Sequence, residues 1–345
     1  MFFISTHFYQ VLRYIFLQMK KTIVAIAMGG YSSEYEISLK SGGVVYNALD
    51  KTSYEVYAVH LIAEGWYYIF EDGSKAEVNK ANFGCNSNGK MIIPDVVFNT
   101  IHGSPGEDGT LAAYLEMLGI PQTSTGFYEA ALSFNKRDCL SVLKAFGIRC
   151  AASLYLNKTE EINIKKIIDQ VGLPCFVKPN RAGSSFGISK VSEISQLKPA
   201  IEAAYKEDSE LLIEAALVGT EVSVGVYIDT GILKALAPTE IVSENDFFDY
   251  EAKYLGKSQE ITPARISETE TIAVQKEAIK IYKSLNMKGV TRSDFILVEG
   301  IPFLIETNTT PGLSQESIIP KQVRHAKITL THFFGLLIEN ALIEK

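Results

Sequence analysis

The sequence predicts a parallel α/β domain followed by a two-part α+β region, and three observations carry that prediction. Strands and helices alternate from about residue 19 to 124, the pattern of a parallel sheet with helices on its faces. From about 125 the texture changes to short strands with turns and helices between them, which is α+β in character. At 345 residues the chain also exceeds one ordinary core. The expected division is an extension over 1–18, an α/β domain over 19–124, and two further parts over 125–213 and 214–345.

The extension, "MFFISTHFYQVLRYIFLQ", is apolar and aromatic, but His7 and Arg13 interrupt it and no small-residue cleavage site follows. It reads as an upstream start or a loosely packed extension rather than a signal peptide or a membrane-lying helix. "TIVAIAM" is then a buried strand, "SLKSGGVVYNAL" a helix, "YEVYAVHLI" and "DVVFNTI" strands, and "TLAAYLEMLG" a helix. The first strand ends at Gly29-Gly30 without G-x-G-x-x-G, so a dinucleotide fold is not supported. Beyond 125, "NKRDCLSVLKAFGI" is amphipathic, and "PCFVKP", "GISKV", "ELLIEAAL" and "TEVSVGVYI" are short strands. "SENDFFDYEAKYLGKSQEITPAR" has no clear period and is long enough for a functional loop. "TETIAVQKEAIKIYKSLN" is an amphipathic helix whose Ser-Glu-Thr-Glu start supplies a capping box.

A net charge of −7 leaves no basic excess to neutralise phosphates, which argues against nucleic-acid partners. Cys85, Cys139, Cys150 and Cys175 are scattered without a C-x-x-C pair, which fits a reducing cytosol better than a disulfide scaffold or zinc site. No run reaches the roughly 20 apolar residues of a membrane span.

Four segments carry chemistry. In "HGSPGEDGT" the carboxylates Glu107 and Asp108 lie between a strand and a helix with no lysine following, so a capped turn is the plain reading and a P-loop is excluded. In "GVTRSDFILVEGIPFLIETNTTPG" two β-runs flank Glu299-Gly300-Ile301. A loop of those three residues sets Val298 opposite Pro302 and Asp294 opposite Glu306. One face then carries Phe295, Leu297, Phe303 and Ile305, and the other Arg292, Asp294, Glu306 and Asn308. That polar face suits magnesium with phosphates, or is a solvated face with an Arg–carboxylate pair. "CFVKPNRAGSSFGISKV" delivers Lys178 before a loop of small residues that could wrap a phosphate, or is an ordinary hairpin. In "LLIEAALVGTEVSV", Glu221 could meet a ribose or be an exposed carboxylate.

The order of these pieces is more specific than any one of them. A lysine strand, glycine loop, Leu-Ile-Glu hinge, polar loop with Lys253-Tyr254, then Asp…Glu-x-Asn resembles the ATP-grasp superfamily. In detail "GGYSSEYEISLKSG", "HGSPGEDGT", "KPNRAGSSFGISKV", "DYEAKYLG", "RSDFILVEG" and "IETNTTPGLSQESIIP" resemble the D-alanine–D-alanine ligases, from about Lys20 to the C-terminus. The chain departs from that pattern with Glu214-Ala215 where many relatives have Glu-Lys, and with tyrosines in "GGYSSEYEIS".

The resemblance implies an α/β pre-ATP-grasp domain, a two-part ATP-grasp fold, and cytoplasmic, ATP-dependent joining of two D-alanines for peptidoglycan through a D-alanyl phosphate. It implies ATP and two Mg2+ or Mn2+ ions, a homodimer, and neither membrane nor nucleic acid as partner. It places Lys136 and Lys178 at the ATP phosphates with Ser184 and Ser185 in a closing loop, Glu214 and Leu217 at the adenine, and Glu221 at the ribose. Asp294, Glu306 and Asn308 would hold the metals, and Arg292 the tetrahedral oxyanion. Glu34 would fix the first D-alanine's ammonium, although by itself it reads as a helix N-terminal carboxylate. His102 would position substrate, Gly312 and Ser317 would meet the second carboxylate, and Lys253 and Tyr254 would sit on a loop closing over the site, Tyr254 contacting Ser184 and Glu34. The alternatives are a ligase that uses D-lactate or another small D-amino acid, and an ATP-binding module without catalysis.

Overall fold

The computed structural model describes residues 21–181, 187–243 and 258–343. The chain opens with β1 (Thr22–Gly29), α1 (Tyr35–Ala48) and β2 (Tyr54–Ile62), and β7 (Val96–Asn99) returns to the other side of β1. β1 pairs in parallel with both β2 and β7, as the alternation predicts. Its even-numbered residues Val24, Ile26 and Met28 enter one core, and Ala25 and Ala27 enter another, so the strand is apolar throughout because both faces are covered.

Beyond β2 the sheet is not parallel. β3 (Gly65–Ile69) and β4 (Lys75–Glu77) extend it antiparallel, giving the order β4-β3-β2-β1-β7. The connection Ala63-Glu64 is too short for a parallel crossover, so β3 must turn back beside β2. β5 (Cys85–Ser87) and β6 (Lys90–Ile92) form a small separate ladder, and α2 (Thr110–Met117) covers the Ala25 face through Leu111 and Leu115.

After α3 (Phe127–Phe134) and α4 (Lys136–Ala145), a second sheet of order β10-β9-β11-β8 is antiparallel throughout. It comprises β8 (Ser153–Asn157), β9 (Cys175–Pro179), β10 (Ser189–Val191) and β11 (Glu210–Ala215), and α5 (Ile164–Val171) and α6 (Ile194–Ala204) complete its core. The third sheet runs β15-β14-β12-β16-β17, with β13 on β12, from β12 (Thr220–Asp229), β13 (Ile232–Ala235), β14 (Thr239–Ser243), β15 (Ser258–Ile261), β16 (Thr291–Val298) and β17 (Ile301–Asn308). Against it packs α7 (Glu268–Ser284), which Ser267 and Glu270 start with the expected capping box.

The last helices, α8 (Ile318–His325) and α9 (Leu330–Ile343), return to the first sheet. Val323, Phe333, Phe334 and Leu337 share a core with Val24, Ile26 and Phe98. Among the described residues no single helix is long and apolar enough to cross a membrane; α8 and α9, apolar together, meet at 108°. This return fixes the loop before α8 over the C-terminal end of β7, and the site forms there.

Candidate active site

The β16–β17 hairpin gathers the expected polar face by a different route from the one the alternation suggests. Its loop has two residues: Val298 pairs with Ile301 and Leu297 with Pro302. Glu299 and Gly300 both take positive φ, 51° and 76°, the geometry of the turn that matches the twist of a hairpin. Continued unbroken, this register would set Asp294 opposite Ile305. Instead the pairing shifts between Asp294 and Phe295, leaving Ile305 as the extra residue, so that Asp294 faces Glu306 and Arg292 faces Asn308. The apolar face differs accordingly. Phe295, Leu297 and Leu304 are in the core, whereas Phe303 and Ile305 are only half-buried.

Asp294 is held from three sides. The Arg292 guanidinium grips it with Nε 2.9 Å from Oδ1 and Nη2 2.8 Å from Oδ2. Ser223, its partner on β12, donates to Oδ1 at 2.5 Å, and the Asn308 amide to Oδ2 at 3.4 Å. Glu306 lies 3.8 Å from the Lys136 ammonium at the start of α4. Lys178, near the end of β9, meets Glu214 of the neighbouring β11 at 2.5 Å. Burial pushes the Lys178 ammonium down, but Glu214, with Glu306 and Glu221, outweighs burial and holds it above the usual lysine range. Lys136, Lys178, Glu214, Glu221 and Glu306, predicted from separate segments, thus form one charged cluster. Buried ion pairs add little net stability, so this grouping is not explained by the fold's need for it.

A second cluster adjoins the first. Glu34 stands at the N-cap position of α1, the helix N-terminal carboxylate its place in the sequence suggests; it is also buried and makes no side-chain capping bond. His102, just beyond β7, is buried, with Nε2 3.4 Å from Ser41 Oγ. Burial lowers its pKa and the Arg292 charge adds to this, against the pull of Glu34 and a backbone hydrogen bond at Thr310. The imidazole pKa is therefore held below the usual histidine range.

The turn after His102 separates its two carboxylates. Asp108 caps the turn in the expected way, accepting from the Thr110 N–H at 2.9 Å. Glu107 points elsewhere. It accepts from the Gly103 N–H at 3.0 Å, and burial, with Glu34 and Glu306 nearby, pushes its pKa up to about 7 against the opposing pull of that N–H and of Lys136. Glu107 is a site residue that the sequence reading missed, since its spacing is indistinguishable from that of a capping residue.

Gly312 and Ser317 come together beside this cluster. A Cβ on Gly312 would lie 2.8 Å from Ser317 Oγ, so a larger residue there would turn the Ser317 hydroxyl away. Ser317 is the N-cap of α8 and shares a 2.7 Å hydrogen bond with Ser314. The Leu313 N–H donates to Ser41 Oγ at 3.2 Å, tying this loop to the His102 environment. Leu217 is half-buried in the link between β11 and β12. The expected Ser184, Ser185, Lys253 and Tyr254 lie outside the described residues.

Among the described residues no group of three or more His, Cys, Asp or Glu is placed to hold a metal. The oxygen set of Asp294, Glu306 and the Asn308 amide nevertheless fits a hard divalent cation that takes its remaining ligands from phosphate. The charge balance agrees. Among the described residues, Lys136, Lys178 and Arg292 face Glu34, Glu107, Glu214, Glu221, Asp294 and Glu306, so a polyphosphate arriving there without cations would meet net negative charge.

Two family models match the chain: the D-ala D-ala ligase N-terminus over residues 23–125 and the D-ala D-ala ligase C-terminus over residues 142–339. The chain is 57% identical to a D-alanine–D-alanine ligase of Christiangramia forsetii over 327 residues, spanning 95% of this chain and 100% of the relative. Its structure is similar to D-alanyl-alanine synthetase A from Vibrio cholerae, with a TM-score of 0.85 and 32% identity, covering 94% of this chain and 99% of the other. It is also similar to the D-alanine–D-alanine ligase of Bacillus anthracis complexed with ATP, with a TM-score of 0.75 and 26% identity, covering 94% and 98%.

Proposed function

Because this chain belongs to the D-alanine–D-alanine ligase family, we propose that it joins two D-alanines at the expense of ATP, giving the dipeptide, ADP and phosphate for cell-wall peptidoglycan. The observation that carries this reading is the meeting of two clusters. Lys136, Lys178, Glu214, Glu221 and Glu306 gather on one side, and Glu34, His102 and Arg292 on the other.

In this account a carboxylate oxygen of the first D-alanine attacks the γ-phosphorus and ADP leaves. The amine of the second D-alanine then attacks the acyl carbon, loses a proton, and expels phosphate bearing the transferred oxygen. Lys136 and Lys178 hold the phosphates, with Ser184, Ser185 and Lys253 completing that side. Glu214 and Leu217 lie at the adenine and Glu221 at the ribose. Glu34 takes the first ammonium with His102 beside it. Gly312 and Ser317 receive the second carboxylate, and Tyr254 with Ser184 orients the acceptor. Arg292 stabilises the oxyanion, where fixed positive charge contributes most. Asp294, Glu306 and Asn308 would hold Mg2+ or Mn2+, which supplies neutralisation of phosphate charge. The division at 19–124, 125–213 and 214–345, a homodimer and a cytoplasmic location belong to the same proposal.

The test is oxygen transfer. D-alanine labelled with 18O in its carboxylate should yield labelled inorganic phosphate. Unlabelled phosphate alongside dipeptide would exclude the acyl phosphate route.

A further inference from the structure

Asn180 follows Lys178 by two residues and is completely buried. Every polar group it has is used. Its N–H donates to the Glu210 carbonyl at 2.9 Å, and its own carbonyl accepts from the Lys136 N–H at 3.3 Å. Its side-chain oxygen accepts from the Arg137 N–H at 2.8 Å. Its amide nitrogen donates to Asn135 Oδ1 at 2.8 Å and to Glu210 Oε2 at 3.0 Å. Asn135 Oδ1 is also the cap of α4, accepting from the Asp138 N–H at 3.1 Å.

The first N–H groups of a helix have no partner within it. At α4 two of them, on Lys136 and Arg137, are satisfied by one residue just beyond the end of β9. That residue is separated from Lys178 only by Pro179. The helix start bearing one lysine is thereby fixed to the strand end bearing the other. We infer that Asn180 is a positioning residue that sets the separation of the Lys136 and Lys178 ammonium groups and hence their grip on a polyphosphate. This rests on the reading of both lysines as phosphate ligands.

The chemistry calls for an amide. One end must accept from an N–H while the other donates to two oxygens, one of them a carboxylate. Aspartate would set its charge against Glu210 and remove the donor that Asn135 Oδ1 and Glu210 Oε2 share.

The experiment is calorimetric titration of the full chain, with magnesium, by ADP and by adenosine. Asn180→Asp should weaken ADP binding about tenfold, the worth of roughly one such hydrogen bond, and leave adenosine binding unchanged. Equal weakening of both ligands, or of neither, would overturn the proposal. Should Asn180→Asp not fold, the same split is expected for Asn135→Ala, with recovery in Asn135→Asp, whose carboxylate can accept both bonds; no split there would overturn it equally. Lys136→Met separates the two layers. If it leaves ADP affinity unchanged, the phosphate role of that lysine falls and the proposal with it. If it weakens ADP binding while Asn180→Asp does not, only the proposal falls.

Discussion

Asp294 and Glu306 face one another across the β16–β17 hairpin because Ile305 is an extra residue in the ladder. Both carboxylates thereby reach the side where Lys136 and Arg292 lie. Asp294→Asn and Glu306→Gln should each lower turnover by at least about a hundredfold, since a metal's charge stabilisation amounts to several kcal/mol. Glu306→Gln should melt near the parent chain, whereas Asp294→Asn, which leaves the Arg292 guanidinium without its carboxylate, should melt lower while still folding cooperatively. Near-normal magnesium-dependent rates in either variant would remove both carboxylates from the metal site.

The two-residue turn makes its own demand. Gly300 has φ of 76°, a conformation that costs a side-chain-bearing residue about 1–2 kcal/mol. Gly300→Val should lose about that much stability in denaturant melts. The substrate KM values should hardly change, because the bulge restores the register before the carboxylates. An unchanged stability would mean that the loop is longer than two residues.

This hairpin also shows what a sequence can and cannot reveal. The gathering of Asp294 with Glu306 was read from a register chosen to bury one apolar face, a register the ladder takes only beyond the bulge. The loop was read one residue too long, and alternation has no sign for a bulge; the two errors offset each other, leaving the carboxylates right and Phe303 and Ile305 misplaced. β1 was legible because burial on both faces leaves an unbroken apolar run. β3 and β4 were not, since their short ladder alternates weakly. Glu107 and Asn180 act through partners distant in the sequence, which local spacing cannot express.

Glu107 should leave a pH signature. Its pKa is about 7 in the folded chain against an ordinary value of 4.5. The folded state therefore keeps a proton that the unfolded state gives up between those values. That contribution to stability is fully present below about pH 4.5 and is lost as pH rises through about 7. Without nucleotide or metal, Glu107→Gln should gain thermal stability relative to the parent between about pH 5 and pH 8. Parallel melting curves across that range would contradict the burial assigned to this carboxyl.

Trp66 is the only tryptophan in the chain, and its indole N–H donates to the Tyr31 hydroxyl at 2.8 Å. Tyr31 belongs to the loop that delivers Glu34. Titration with D-alanine without ATP should give a saturable change in tryptophan emission, absent in Glu34→Gln. A flat titration in the parent chain, or an equal response in Glu34→Gln, would disconnect this loop from the first amino-acid site.

The most direct test of the central claim is mass analysis of the products formed from ATP, magnesium and equal D-alanine and D-lactate. D-alanyl-D-alanine should form as the main product with one ADP and one phosphate per dipeptide. ATP bound without any product, or D-alanyl-D-lactate as the main product, would contradict the account.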